Sequence, residues 1–243
     1  MISTHTQYRL MAVLNKVPFV YKIVQKIYHV FLKENIEKHR NAIFRKNALN
    51  VLSTFHKCME ENNFYYTLSF GTLLGAVREK GFIKHDMDID VIMWSKDYKD
   101  SLKASLSSVG FKLSHEFLVD NGRLGREETY TLNGVSIDIF YIYDNDQIYC
   151  CDFLTPDSCP TFQISMQKFG YVIPRRLIMP FKYGRHLTPF EDLMLYIPDN
   201  AVELLEFRYG KDYMTPKKNW GIRSYDKHIV VWTDKKAMFY DYE

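Results

Sequence analysis

Three aspartates, Asp86, Asp88 and Asp90, stand at alternating positions just before an almost wholly apolar run, in "HDMDIDVIM". Side chains alternate between the two faces of a strand, so we expect the three carboxylates to share one face. Like charges this close repel one another, more strongly where solvent is partly excluded. A divalent cation removes the repulsion, and hard carboxylate oxygens suit Mg²⁺ or Mn²⁺. The pattern predicts a metal site where a buried strand begins; the alternative is a solvated strand end.

A fourth acid, Asp138, is isolated in the apolar stretch "VSIDIFYIY". If this stretch forms a strand beside the first one, Asp138 completes a cluster of three or four carboxylates. Such a cluster can hold two ions about 4 Å apart, the spacing used for in-line phosphoryl displacement. The four acids are therefore predicted metal ligands.

The segment "GTLLGAVR" places Gly71 and Thr72 after a predicted strand and at the start of a helix. Free N–H groups there can cradle a phosphate, and glycine permits close approach. Arg78 is positioned to neutralise phosphate charge if the helix runs along a bound nucleotide. The alternatives are a plain turn at Gly71 and a surface charge at Arg78.

The elements that must position these residues follow from hydrophobic periodicity. The predicted order is a helix at about 36–61, a strand at 64–69, a short helix from Gly71, a strand at 87–93, a helix at about 99–109 and a strand at 135–143. After Asp144 the pattern is irregular, aromatic and interrupted by prolines. We predict an α+β fold: a mixed sheet flanked by helices, with N-terminal helices and an irregular helical C-terminal part.

Charge is distributed unevenly along the 243 residues. Residues 1–46 carry nine Lys or Arg against two acids, a surplus of +7, which leaves −4 for the remainder of a chain with net charge +3. Residues 17–31 form an amphipathic helical pattern with lysines on the polar side. This pattern predicts a helix at an anionic membrane surface, with packing on the protein's own core as the alternative.

No apolar run reaches the length of a membrane span and no signal peptide is visible, so we expect a cytoplasmic protein, peripheral at the inner face of the membrane. Nucleic acid is not an expected partner, because no helix-turn-helix, zinc-finger or stacking signature is present. Four cysteines are too few and too unevenly placed for a disulfide framework. They are interpreted as reduced structural thiols, with zinc binding as the alternative.

At these motifs the sequence resembles the LicD/fukutin family, a branch of the nucleotidyltransferase fold. The resemblance rests on "GTLLGAVR", "FIKHDMDID", "IDIF" and the later segment "YIPDNAVELLEFRYGKDYMTP", and it spans about residues 66–220. Two departures stand out: Lys84-His85 replaces the usual Pro-Trp, and Met87 replaces a frequent acid or aromatic residue. The resemblance implies basic N-terminal helices at 1–62, a nucleotidyltransferase-like catalytic domain at 63–223 and a packed tail at 224–243.

The resemblance also implies roles for individual residues. Asp88 and Asp90 would be the principal ligands of two Mg²⁺ or Mn²⁺ ions, with Asp138 as third carboxylate and candidate general base and Asp86 in support. The predicted substrate contacts are Gly71, Thr72, Arg78, His85, Arg185 and Tyr209.

Members of this family cleave a CDP-linked alcohol and pass its phospho-alcohol half to a glycan hydroxyl. The implied activity is transfer of a phosphocholine-like group from a CDP-alcohol to a cell-surface glycan or its lipid-linked precursor, such as lipopolysaccharide, with release of CMP. The alternative is a nucleotidyltransferase that moves a nucleoside monophosphate to a small molecule or sugar. A non-catalytic membrane adaptor is the alternative from a different functional class.

Overall fold

The computed structural model describes residues 33–156, 159–216 and 228–242. The helices are α1 (Lys33–Glu61), α2 (Phe70–Arg78), α3 (Ser101–Ser108), α4 (Phe162–Phe169) and α5 (Ala201–Tyr209). The strands are β1 (Thr67–Leu68), β2 (Ile89–Trp94), β3 (Lys112–Val119), β4 (Gly125–Leu132), β5 (Val135–Asp144), β6 (Ile148–Leu154), β7 (Ile173–Ile178), β8 (Arg185–Phe190), β9 (Leu193–Pro198), β10 (Ile229–Val231) and β11 (Ala237–Asp241). The predicted amphipathic helix at 17–31 lies outside the described residues.

Nine of these strands form one curled sheet in the order β10-β7-β6-β5-β4-β3-β11, with β2 beside β5 and β1 beside β2. The β2–β5 pair is parallel, whereas its neighbours pair antiparallel. Strands β8 and β9 form a separate hairpin. The predicted α+β class with a mixed sheet and flanking helices is confirmed.

Turn chemistry fixes the register of β4 against β5. Asn133 and Gly134 both have positive φ, +51° and +79°, and they connect the paired residues Leu132 and Val135. An Asn-Gly pair of this kind makes the tight hairpin turn whose twist matches the flanking strands. The register of every residue along β4 and β5 follows from this turn.

The two faces of the sheet have different partners. One face packs under the long helix α1 and forms the main core, in which Phe44, Val51, Val91 and Ile139 are fully buried. The other face carries a smaller apolar cluster built around Trp94 and completed by α5. Because Asp90 and Asp138 alternate with Val91 and Ile139, they lie on the second face, away from the main core.

Two expectations about the elements were wrong, and one hairpin was not predicted at all. The strand begins at Ile89, so Asp86 and Asp88 lie in the preceding loop and strand alternation places only Asp90. The hairpin β3–β4 occupies a stretch for which no element was predicted. The described C-terminal part consists mainly of strands rather than irregular helix, because Pro174, Pro189 and Pro198 fall within or at the ends of short strands that tolerate them.

The end of the chain pairs with both edges of the sheet. Strand β10 pairs with β7, and β11 pairs with β3. Ala237, the first residue of β11, also exchanges two backbone hydrogen bonds with Val172, at 2.9 and 3.0 Å, just before β7 begins. The C-terminal segment therefore draws the two edges of the curled sheet together. In the described part of the chain, every helix is too short or too polar to cross a membrane.

Candidate active site

The site is built on the parallel pair β2–β5. Asp90 of β2 and Asp138 of β5 are direct register partners. In a parallel pair, register partners project from the same face of the sheet, so the two carboxylates lie side by side. On the other side of β5, Thr129 of β4 is the register partner of Asp138. The Thr129 hydroxyl donates a hydrogen bond of 2.6 Å to Asp138 Oδ1. Three adjacent strands, β2, β5 and β4, therefore contribute Asp90, Asp138 and Thr129 to one polar cluster.

The start of α2 is joined to Asp90 by reciprocal hydrogen bonds. The Gly71 N–H donates to Asp90 Oδ2 at 3.1 Å, and the Asp90 N–H donates to the buried Thr72 hydroxyl at 2.9 Å. The residue before them, Phe70, has a left-handed φ of +42°, a strained conformation for an aromatic residue. This geometry holds the helix start directly against the carboxylate.

Gly71 has the shape that the site requires. A Cβ at position 71 would lie 3.5 Å from Asp90 Oδ2 and 3.7 Å from Asp86 Oδ1. The two carboxylates therefore flank the bare Cα of Gly71. A glycine here keeps open the space beside both acids, as a ligand approaching the backbone would need.

The loop between α2 and β2 brings Asp86 to this point. Asp86 Oδ2 accepts a hydrogen bond of 2.8 Å from the Ile83 N–H, which closes a turn. From α1, Asn41 donates to the Asp86 carbonyl at 3.2 Å and Arg45 donates to the Ile83 carbonyl. Asp88 follows in the same loop and is exposed.

Burial and mutual repulsion make these carboxylates hard to ionise. Burial, followed by the charges of Asp88 and Asp138, raises the pKa of Asp90 well above its usual range. Burial raises the pKa of Asp138 to about 7, although the hydrogen bond from Thr129 acts to lower it. Burial likewise raises the pKa of Asp86 to about 6, although the hydrogen bond from the Ile83 N–H acts to lower it. Each carboxylate thus lies where its own charge is unfavourable, a condition that functional sites often show.

Sequence reasoning missed two residues of β4, Thr129 and Glu127. Glu127 is two residues from Thr129 and therefore shares its face with Asp138. Burial, with Asp138 as the next cause, raises the pKa of Glu127 well above its usual range. Within the described residues Glu127 makes no hydrogen bond or ion pair. The Asn-Gly turn was the available signal, because counting back from it along β4 reaches Thr129 opposite Asp138.

Besides Gly71 and Thr72, two further predicted substrate contacts lie near the cluster. Arg78 ends α2 and donates to Glu79 Oε1 at 2.8 Å and to the Tyr213 carbonyl at 3.2 Å. It is close enough to Asp86 to oppose the rise of the Asp86 pKa that burial causes. His85 is exposed in the loop just before Asp86. Their roles in substrate binding remain predictions.

The structure shows Arg185 and Tyr209 in contacts within the fold, and their roles in substrate binding remain predictions. The Arg185 guanidinium lies 3.7 Å from the centre of the Tyr196 ring and donates at 2.9 Å to the carbonyl of Tyr66, the residue just before β1. Tyr209 is 8% exposed and belongs to the main hydrophobic core. Both side chains hold elements together in the arrangement seen here.

The four cysteines are buried free thiols at separate places. Cys150 contacts the Met179 sulfur, whereas Cys151 projects from the opposite face of β6 towards the Leu124 carbonyl. Among the described residues, no three His, Cys, Asp or Glu side chains are arranged as a ready metal-binding group.

Comparison with known proteins identifies the family. A family model described as "LicD/FKTN/FKRP, nucleotidyltransferase domain" matches residues 63–200, more than half of the chain. The chain belongs to this family. The match contains Gly71, Asp90 and Asp138, and it confirms the resemblance drawn from the sequence motifs.

Named relatives are transferases of phosphate-containing groups. The chain is 29% identical over 185 residues to the ribitol-5-phosphate transferase FKTN of Mus musculus, covering 75% of this chain and 36% of that protein. The human protein of the same name is 26% identical, with 82% and 40% covered. A shorter match, 43% identical over 69 residues, is to the lipopolysaccharide cholinephosphotransferase LicD of Haemophilus influenzae, covering 28% of this chain and 24% of that protein. The chain spans well under half the length of these relatives.

Proposed function

We propose that this protein transfers a phospho-alcohol group from a CDP-linked alcohol to a hydroxyl of a cell-surface glycan or its lipid-linked precursor, with release of CMP. The observation that carries the proposal is the register of Asp90 with Asp138 beside the start of α2. This arrangement puts two carboxylates next to a helix N-terminus, where phosphate is favoured. The names of the relatives support the class of group transferred.

Although no group of three ligands is preformed among the described residues, the donor chemistry of the four aspartates suits a divalent cation. Asp86, Asp88, Asp90 and Asp138 make no ion pair within the described residues, and the hydrogen bonds to Asp90 and Asp138 come from one N–H and one hydroxyl. Carboxylate oxygens are the donors that Mg²⁺ and Mn²⁺ prefer. We propose that these four acids hold Mg²⁺ or Mn²⁺, two ions in all. A bound ion would offset the negative charge that develops on the transferring phosphoryl group.

The chain's own groups then have separate roles. The acceptor hydroxyl attacks the distal phosphorus of the donor; a new P–O bond forms, the bond to the bridging oxygen breaks, and CMP leaves. Asp138 is the proposed general base, since Thr129 holds one of its oxygens and the other can receive the hydroxyl proton. The open Cα of Gly71 gives the donor phosphates access to the N-terminus of α2.

The test is to incubate the purified protein, Mg²⁺ and a hydroxyl-bearing glycan with CDP-choline or CDP-ribitol and to measure CMP. We expect CMP formation that depends on Mg²⁺ and is lost in Asp90→Asn. Pyrophosphate release from a nucleoside triphosphate, without CMP from either donor, would instead indicate nucleotidyl transfer. Absence of both products across the panel would contradict the proposal.

Membrane attachment through residues 1–32 is a separate part of the proposal. The basic, amphipathic composition of this region favours an anionic lipid surface, and a lipid-linked acceptor would be concentrated there. Removing residues 1–32 should abolish co-sedimentation with vesicles that contain phosphatidylglycerol while leaving CMP formation from a soluble acceptor intact. Equal sedimentation of the full chain and the shortened chain would refute the attachment.

A further inference from the structure

Glu127 lies in the row of side chains next to the carboxylates of the candidate site. On the second face of the sheet, Thr129, Asp138 and Asp90 form one row across β4, β5 and β2. Glu127 is two residues along β4 from Thr129, so it belongs to the next row, which it shares with Phe140 of β5. The two rows are roughly 7 Å apart, because a strand rises about 3.3 Å per residue. Glu127 is therefore adjacent to the proposed site of phosphoryl transfer.

Aromatic rings flank Glu127 on both neighbouring strands. Its register partner on β5 is Phe140, and its register partner on β3 is Phe117. Directly opposed side chains have Cβ atoms about 5 Å apart. Phe140 packs edge-to-face on Phe70, with 4.8 Å between the ring centres. Phe117 stacks on Phe153 of β6 at 4.4 Å. The Glu127 side chain therefore has an aromatic residue on either side.

Glu127 lacks a cation partner in the described part of the chain, where it makes no hydrogen bond or ion pair. Arg126 alternates to the opposite face of β4 and pairs there with Glu128 at 2.8 Å. The Arg208 guanidinium contacts Phe70, 5.1 Å from the centre of its ring. Because a half-buried carboxylate is stabilised by a positive partner, the position beside Glu127 favours a cationic ligand.

The transferred group of the donor is the part of the substrate that can reach Glu127. The proposed reaction places its phosphorus beside Asp90 and Asp138, and in an alkylammonium group a short carbon chain separates the phosphate from the charged nitrogen. Aromatic faces attract such a cation, and a carboxylate beside them adds Coulombic attraction. A polyol would instead require hydrogen-bonding partners along its length, and the side chain next to Glu127 in its row is the phenyl ring of Phe140. The row therefore suits an alkylammonium group better than a polyol.

We propose that Glu127 and Phe140 bind a positively charged alkylammonium group on the donor, and that Glu127 selects such a donor over one that carries a neutral polyol. This inference rests on the proposed function, which leaves the transferred group unspecified. Glu127 acts at the far end of that group, away from the bonds that form and break. The choice of transferred group is thus assigned to a residue other than the four aspartates.

The test measures binding of phosphocholine and of ribitol 5-phosphate to the full chain by calorimetry at saturating Mg²⁺. The unaltered protein should bind phosphocholine more tightly than ribitol 5-phosphate. Glu127→Gln keeps the size of the side chain and removes its charge, so it should weaken phosphocholine binding by about tenfold or more. Binding of ribitol 5-phosphate should change by less than about 3-fold, because a polyol carries no charge for Glu127 to attract.

Glu206→Gln is the matched control. Glu206 is an exposed residue of α5, and the chemical change is identical. This variant should bind both ligands like the unaltered protein.

Phe140→Leu tests the aromatic part of the proposed contact independently. The substitution keeps an apolar side chain beside Phe70 and removes the ring face. We expect phosphocholine binding to weaken by about 3- to 10-fold while ribitol 5-phosphate binding is unchanged. Circular dichroism verifies that each variant is folded; if Glu127→Gln unfolds, Phe140→Leu measures the same preference.

A role for Glu127 in supporting the metal site predicts a different result. In that case Glu127→Gln would weaken Mg²⁺ binding and lower the affinity for both ligands by the same factor, and this outcome would overturn the proposal. So would an unaltered protein that binds ribitol 5-phosphate as tightly as phosphocholine, or that binds neither ligand.

The result is separable from the proposed function. A Glu127-dependent preference for phosphocholine, without turnover of any CDP-alcohol, would support the Glu127 contact and contradict the transferase activity. Turnover of CDP-ribitol in preference to CDP-choline, with the same KM and kcat in Glu127→Gln, would retain the activity and exclude the contact.

Discussion

The Thr72 hydroxyl couples the helix start to the strand that carries Asp90. Thr72 is 1% exposed and accepts the Asp90 N–H at 2.9 Å. Thr72→Val leaves this N–H without its acceptor, so we expect a loss of about 1–3 kcal/mol in the free energy of unfolding. Thr72→Ser keeps the oxygen and should lose much less. Urea unfolding of both variants measures the difference; equal stability of the two would show that the hydroxyl contributes little.

Asp138 should oppose folding of the metal-free protein at alkaline pH. Its pKa is about 7 in the folded chain, because of burial, and near 3.9 when unfolded. Between about pH 4 and pH 7 Asp138 is protonated in the folded state and ionised in the unfolded state. The contribution of Asp138 to the free energy of unfolding is therefore greatest below about pH 4 and is lost as the pH rises through 7. Asp138→Asn lacks this dependence and can still accept from Thr129.

We therefore expect Asp138→Asn to be more stable than the unaltered protein by about 1–3 kcal/mol at pH 8, with a much smaller difference at pH 4.5. Thermal unfolding in EDTA at the two pH values measures this. The same variant should lose CMP formation by at least about 10³-fold if Asp138 has the proposed role. A variant destabilised at pH 8 would contradict the assigned burial of the charge.

At the scale of elements, the two glycines of α2 have different functions. Gly71 faces the carboxylates with room for a methyl group, whereas a Cβ on Gly75 would lie 2.4 Å from the Gly81 carbonyl oxygen. Gly75 also accepts the N–H groups of Glu79 and Gly81. The first glycine therefore keeps the site open, and the second lets the Asp86 loop pack on the helix.

Alanine at each position should separate these functions. We expect Gly71→Ala to change the free energy of unfolding by less than about 1 kcal/mol, because the added contacts are ordinary, while lowering CMP formation at least tenfold. Gly75→Ala should lose more than about 2 kcal/mol through the clash with backbone. Chemical denaturation and CMP assays on the pair measure both effects. Full activity in Gly71→Ala would show that the space beside this residue is not used.

The sequence predicted those elements whose two sides differ in polarity. Helix α1 and strands β2 and β5 were recognised because apolar residues recur at regular spacing. Strand β4 was not, since its buried side carries Glu128, whose carboxylate pairs with Arg126 and accepts from Tyr130 and Tyr141. In the sequence, the charged residues of a buried ionic network have the same pattern as a polar loop.

At the scale of the whole molecule, the C-terminal segment completes the curled sheet that supports the site. Phe239 of β11 is 8% exposed and packs against Phe117 and Phe162 in a tilted arrangement, with ring centres 4.8 and 5.5 Å away. Its neighbour Tyr240 alternates outward and is 38% exposed. Because β11 joins β3 to the segment before β7, the packing of Phe239 should stabilise the entire sheet and not only its edge.

Phe239→Ala should lower the free energy of unfolding by about 2–4 kcal/mol, the usual range for a large buried side chain, whereas Tyr240→Ala should lose under 1 kcal/mol. If closure of the sheet is cooperative, near-ultraviolet and far-ultraviolet circular dichroism will show one coincident transition in Phe239→Ala, at lower denaturant. Two separate transitions, the first confined to the C-terminal strands, would mean that the sheet carrying Asp90 and Asp138 is stable without them.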